Sequence, residues 1–278
     1  MKPSGIGGQA VIEGIMMRNK DMYSVAVRKP DGEIEVHLGT YQSIVKSKMI
    51  REIPLVRGVI NFIDSMILGM RTLTFSESFY EEEEEPTKAE VVLDKVTKGN
   101  SEKILTGLTV AFSIVMAVAI FMILPYFLTN FLRDYVVSNT LLAIIEGVVR
   151  VGVFLIYILL ISRMNDIQRV FMYHGAEHKC INCIEHGMEL NVENVLKSSK
   201  HHKRCGTSFL FIVMFVSIIF FIFIRVTSPV LRVVIRLLLI PVIAGVSYEL
   251  IKFAGNSDSK FVQIISYPGM MLQKLTTK

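Results

Sequence analysis

Residues Ile104 to Leu128 read ILTGLTVAFSIVMAVAIFMILPYFL and contain no charged side chain. A helix crosses the hydrocarbon core of a bilayer with about 20 predominantly apolar residues, so this stretch moves the chain out of the ordinary soluble class. Three more such blocks follow, Leu141 to Ser162, Ser208 to Val226 and Val230 to Phe253. The expected fold is a mostly α membrane protein with about four transmembrane helices and a small N-terminal α+β cytosolic unit. Composition agrees, since 51% of the 278 residues are apolar and mean hydropathy is +0.48. Pro125 and Pro241 predict kinks, because proline removes a helix hydrogen bond. Glu146 and Arg150, four apart in the second block, predict an ion pair on one helix face or a polar interior, the pair being the favoured reading.

The polar start of the chain reads differently. Ala10 to Met17, Tyr23 to Arg28 and Glu33 to Leu38 have strand-like composition, and Lys29-Pro30-Asp31-Gly32 is a hairpin turn signal. From Gly58 to Leu73 the apolar residues Val59, Phe62, Ile63, Met66, Met70 and Leu73 recur at helical spacing. That helix either lies on the membrane surface or packs on the cytosolic unit. Glu81 to Glu85, followed by Pro86, reads as a solvated linker. The expected division is therefore 1–80 as a hairpin-rich unit with an amphipathic helix, 81–103 as an acidic linker, and 104–278 as a four-helix membrane domain carrying a cytosolic loop at 163–207.

The net charge of +5 is a topology signal in such a chain and argues against nucleic acid, because cytosolic loops carry the Lys/Arg excess. Arg163, Arg169, Lys179, Lys197, Lys200, Lys203 and Arg204 crowd the loop between the second and third blocks, while Arg133 stands alone between the first and second. That loop and both termini are expected in the cytosol of a multi-pass protein of a bacterial cell membrane. Three cysteines, an odd count, fit a reducing compartment better than a disulfide framework. No apolar run opens the chain, and nothing there resembles a cleaved signal peptide.

Tyr173 to His178 contains H-x-x-E-H. On a helix, His174 and His178 share one face and can bind zinc through neutral imidazoles, with Glu177 placed to hold or deprotonate water. Gly175 weakens the helix this requires. His202 and Cys205 precede the third block and Glu249 sits near the inner end of the fourth, so these segments are expected to converge at one membrane depth and to share the metal. A second constellation competes for it. Cys180-x-x-Cys183 with His202-x-x-Cys205 has the paired spacing of a closed structural zinc site. The spacing leaves both open, and the His174/His178 pair ranks first because it includes a base. The GIGGQAVIEG start is a weak phosphate-binding signal, with no helix-opening G-x-G-x-x-G.

The blocks GGQAVIEGIMMR, YHGAEHKCIN, HKRCGTSFL, AGVSYEL and PGMMLQKLTT resemble the bacterial YqhQ-like family, a family of unknown function described as predicted metal-dependent enzymes. The resemblance covers nearly the whole chain and implies that Glu13, His174, Glu177, His178, His202, Arg204, Cys205 and Glu249 fall in signature blocks. That pattern commonly has a small or hydroxyl residue where this chain has Cys180, which argues against the closed four-ligand site.

The expected function is a membrane-embedded, zinc-dependent or other divalent-metal hydrolase, with Glu177 as catalytic base and His174, His178, Glu249, His202 and Cys205 as candidate ligands. One alternative is a non-catalytic accessory protein docking a translocation or translation-linked partner at the cytosolic face. A second is a small oligomeric transporter or channel, which Glu146, Arg150 and Glu249 at membrane depth would permit. Lipid bilayer, a cytosolic-face protein partner and further copies of the chain are the expected associations.

Overall fold

In a computed structural model the described residues are 4–80, 101–202, 205–224, 226, 228–255 and 259–278. The linker expected at 81–103 therefore falls almost wholly outside the described residues, as does Arg204. The chain divides into two compact units, Met1–Tyr80 with Leu155–Lys278, and Glu81–Phe154. The N-terminal unit thus associates with the second half of the chain, where the sequence suggested a separate head.

The first unit opens with an antiparallel sheet of β1 (Ile6–Val11), β2 (Gly14–Asn19), β3 (Met22–Arg28) and β4 (Ile34–Thr40), in that order. The single strand expected over Ala10 to Met17 is instead a hairpin. Ile12 and Glu13 form its turn, with Glu13 in the left-handed region at φ 49°. The second turn forms at Lys29 to Gly32, where the Gly32 N–H donates to the Lys29 carbonyl at 2.9 Å and Gly32 takes φ 89°. Alternation places Val11, Met16, Val25 and Val27 on one face, where they form a core with Tyr41 and Leu68.

Leu68 belongs to α2 (Val56–Glu77), which follows the short α1 (Lys48–Glu52). The buried face of α2 is Ile60, Asp64, Leu68 and Thr72, with Asp64 accepting from the Tyr41 hydroxyl at 3.1 Å and the Ile44 N–H at 3.0 Å. The apolar stripe seen in the sequence points elsewhere, since Phe62, Ile63, Met66, Met70 and Leu73 are exposed. α2 therefore packs on the sheet through a mixed face, while its apolar face stays partly exposed, with Phe62 meeting the Phe209 ring at 5.8 Å between centroids.

The expected loop at 163–207 is mostly helical: α6 (Asn165–Glu185) and α7 (Val192–Lys197) fill it. It follows α5 (Asn139–Ile161) and leads into α8 (Gly206–Ile222), α9 (Pro229–Gly255) and α10 (Lys260–Thr276). The Cys205 thiol sulfur accepts from the Thr207 N–H at 3.3 Å and so caps α8, and Ser259 caps α10.

The second unit holds α3 (Ser101–Val118), a π-helical turn at Ala119–Ile123, α4 (Leu124–Asn130) and the start of α5. Pro125 has no N–H for the carbonyl four residues back, that of Phe121. The Arg150 Nε–H donates to this carbonyl at 2.9 Å, while another guanidinium nitrogen of Arg150 bonds Glu146 at 2.9 Å. The π-turn and the buried pair are one arrangement, and Glu146 and Arg150 pair on one helix face.

Among the described residues, three helices are long and apolar enough to cross a membrane: Ile104–Asn130, Asn139–Ile161 and Val230–Gly255. The third expected block, Ser208 to Val226, corresponds to the 17-residue α8, about 25 Å long at 1.5 Å per residue.

Candidate functional site

Helix α6 positions the site because it runs antiparallel to β1 in step with it. Glu185 accepts from the Ser4 N–H at 2.9 Å near one end, and Arg169 donates two hydrogen bonds to Glu13, at 2.5 and 2.6 Å, near the other. Tyr173 adds a third to Glu13 at 3.1 Å. Arg169 holds the Glu13 carboxyl below its usual range. Between these ends the H-x-x-E-H segment faces β1. Its helix continues through Gly175, where a side chain has no room: a Cβ there would lie 2.5 Å from the Lys278 carbonyl oxygen. The cost of glycine in a helix, about 1 kcal/mol, accompanies close packing of the chain's last residue.

The imidazoles of His174 and His178 are held in one tautomer. A carbonyl only accepts, so His174 Nδ1 donates to the Thr276 carbonyl at 2.9 Å and His178 Nδ1 donates to the Lys200 carbonyl at 2.7 Å. Each neutral ring then carries its lone pair on Nε2. His174 Nε2 lies 3.2 Å from the Cys205 sulfur. The possible ligand atoms of His174, His178 and Cys205 all lie within 4.8 Å of one another. Outer hydrogen bonds of this kind fix ring orientation at metal sites.

Glu177 is buried beside them, with a carboxylate oxygen 3.6 Å from His178 Nε2. Burial pushes its carboxyl up to about 7. A side chain at position 8 would occupy its place, since a Cβ on Gly8 would stand 2.6 Å from Glu177 Cγ. Gly5 to Gly8, His174, Glu177, His178, Ile181, His202, Cys205 and Gly206 enclose a cavity of about 290 Å³.

The structure therefore joins one half of each competing constellation. Cys205 completes a group with His174 and His178, whereas Cys183 is buried against the carbonyls of Met188 and Glu189 and Cys180 is half-buried on the same helix. His202 lines the cavity, but its Nε2 faces Glu185 at 3.3 Å. Its backbone is bracketed by Gln273, which accepts from the His202 N–H at 2.9 Å and donates to the His202 carbonyl at 2.7 Å. Glu249, expected to join the metal, is elsewhere. It forms an ion pair with Arg57, whose Nε donates at 2.6 Å, and accepts from the Leu55 N–H at 3.4 Å. A guanidinium reaching from α2 answers the cost of a carboxylate at the end of an apolar helix, the role the sequence analysis gave to a metal.

Sequence reasoning missed Glu185, Gln273 and the carbonyls of Lys200 and Thr276. Gln273 falls in PGMMLQKLTT, whereas backbone carbonyls leave no signal in residue identity.

A family model described as "Protein of unknown function (DUF1385)" matches residues 53–278. The chain belongs to this family. The matched range carries His174, Glu177, His178, His202 and Cys205, while β1 precedes it. The uncharacterized protein YqhQ of Bacillus subtilis (strain 168) is 34% identical over 279 residues, which cover 99% of this chain and 87% of that protein. No solved structure matches the chain.

Proposed function

We propose that this family member is a membrane-embedded, metal-dependent hydrolase with its site on the cytosolic face of the bacterial cell membrane. The observation that carries the reading is the convergence of one possible ligand atom each from His174, His178 and Cys205 within 4.8 Å, with His174 Nε2 3.2 Å from the Cys205 sulfur, beside the buried carboxyl of Glu177. Two neutral imidazole nitrogens and a thiol suit zinc, and three protein ligands leave a fourth position open, the pattern of catalytic sites. Bound there, zinc would lower the pKa of a water and polarise a substrate carbonyl. Glu177, with its carboxyl near 7, takes and returns protons close to neutral pH, where a general base works best. Gly8 leaves the space in which that carboxyl sits.

Four crossings with both termini in the cytosol are supported by two hydrogen bonds to one helix. The Ser4 N–H donates to Glu185 and the Lys278 N–H donates to the Phe171 carbonyl, so both ends of the described chain meet α6 on one side of the bilayer. The crossings between α6 and the C-terminus must then be even in number. α9 is long enough to cross, so α8 crosses as its partner, and a thinned bilayer accommodates its short length at modest cost. Lys and Arg density around α6 supports a cytosolic reading of that side. The exposed stripe of Phe62, Ile63, Met66 and Met70 favours an interfacial position for α2.

A second reading, an accessory protein docking a partner, draws on β4, whose Ile34, Val36 and Leu38 are 63%, 57% and 68% exposed. Glu177→Gln separates the two. The hydrolase reading expects this variant to keep its metal and fold and to lose ester and amide hydrolysis in detergent; unchanged hydrolysis would remove Glu177 as base.

A further inference from the structure

We propose that the cavity takes an extended polypeptide segment, which adds to the free edge of β1 as a further strand and lays a backbone amide beside Glu177. The cleavage step rests on the hydrolase reading, whereas the binding step stands by itself.

The edge is defined by register. Val11 pairs with Gly14, Gln9 with Met16 and Gly7 with Arg18. The Arg28 N–H donates to the Glu13 carbonyl, so alternation turns the amides of Gly14, Met16 and Arg18 toward β1. The main-chain groups of Ile6, Gly8, Ala10 and Ile12 consequently face away from the sheet. Two of these N–H groups have side-chain partners: Ile6 donates to the Ser4 hydroxyl at 3.2 Å and Ile12 to the Ser76 hydroxyl at 3.0 Å. Those of Gly8 and Ala10, between them, have none among the described residues.

This open stretch borders the site. Gly5, Ile6, Gly7 and Gly8 line the same cavity as Glu177, His174 and His178, and Gly7 and Gly8 are exposed. Donors and acceptors repeating every second residue, about 7 Å apart, match the backbone of an extended chain, and strand addition is a recurring mode of peptide recognition. No atom lies within 4 Å of where a Cβ on Gly7 would sit, which leaves room there for a second backbone to approach. In the chemical step a water oxygen bonds to the carbonyl carbon, Glu177 takes the water proton, the C–N bond breaks and the amine leaves with that proton.

The experiment uses the full-length Glu177→Gln protein in detergent, which separates binding from turnover. The probe is fluorescently labelled, reduced and carboxymethylated α-lactalbumin, a permanently unfolded polypeptide, read by anisotropy. Ala10→Pro removes one outward N–H without touching the β1–β2 ladder, and Val36→Pro makes the same change on the opposite edge of the sheet. Binding is expected to weaken about tenfold or more with Ala10→Pro and to hold with Val36→Pro. In the unaltered background a short Thr-Val peptide should compete, and its backbone N-methylated counterpart should not, a comparison that needs no variant to fold. No binding of the unfolded probe, equal loss in both proline variants, or competition by the N-methylated peptide would each overturn the proposal. Hydrolysis of a small ester without polypeptide binding would overturn it while leaving the hydrolase reading in place, and binding without any hydrolysis would do the reverse.

Discussion

Glu177 and Gly8 share one space: a Cβ on Gly8 would lie 2.6 Å from the Glu177 Cγ, so the strand must lack a side chain for the carboxyl to reach the cavity. Gly8→Ala is therefore expected to displace Glu177. Overpacking of this kind costs about 1 to 3 kcal/mol, and hydrolysis should fall by about tenfold or more while metal content holds. Thermal melts with metal analysis check this, and an alanine at position 8 that changes neither stability nor activity would separate Gly8 from the site.

Glu249 pairs with Arg57, and both side chains are about three-quarters buried. Glu249→Gln should lower stability in detergent by about 1 kcal/mol with no change in bound metal. Loss of metal from this variant would return Glu249 to the ligand set.

Much of the architecture was legible, for reasons that particular residues make plain. Lys29-Pro30-Asp31-Gly32 announces its turn, whereas Ile12-Glu13 turns the chain with no glycine, proline or asparagine and so reads as continuous strand. The apolar stripe of α2 is real but stays partly exposed, because Asp64 finds its partner Tyr41 on the packed face and Thr72 bonds carbonyls of its own helix. α10 is obscured by Pro268 and a mixed composition. At the site, H-x-x-E-H fixes the helix face, yet the choice of Cys205 over Cys180 and Cys183 depends on how the 199–206 segment folds back. Arg57 and Glu249 are 192 positions apart, beyond any local pattern.

Arg150 bonds both Glu146 and the Phe121 carbonyl, to which Pro125 has no N–H to donate. Arg150→Met strips the guanidinium from both groups and should cost about 3 to 5 kcal/mol. Adding Glu146→Leu should recover part of that loss, because the carboxylate then no longer needs a cation. Denaturation of the single and double variants in detergent decides; a double variant weaker than Arg150→Met would contradict the pairing.

Glu13 gives an acid dependence with a definite sign. Arg169 lowers its folded pKa below the ordinary 4.5, so its stabilisation is present above the unfolded value and is lost as pH falls through the folded one. Melting temperature between about pH 6 and pH 3 should drop less steeply for Glu13→Gln than for the parent. The difference is small because Arg169 is half exposed, and parallel curves would remove Glu13 from the acid response.

Metal content of the purified full-length protein tests the central claim most directly. Elemental analysis is expected to find zinc or another divalent metal in the parent, in Cys183→Ala and in Glu249→Gln, and to find it lost from His174→Ala, His178→Ala and Cys205→Ala. A parent without metal, or a Cys205→Ala protein that keeps it while Cys183→Ala does not, would contradict the assignment of His174, His178 and Cys205 as its ligands.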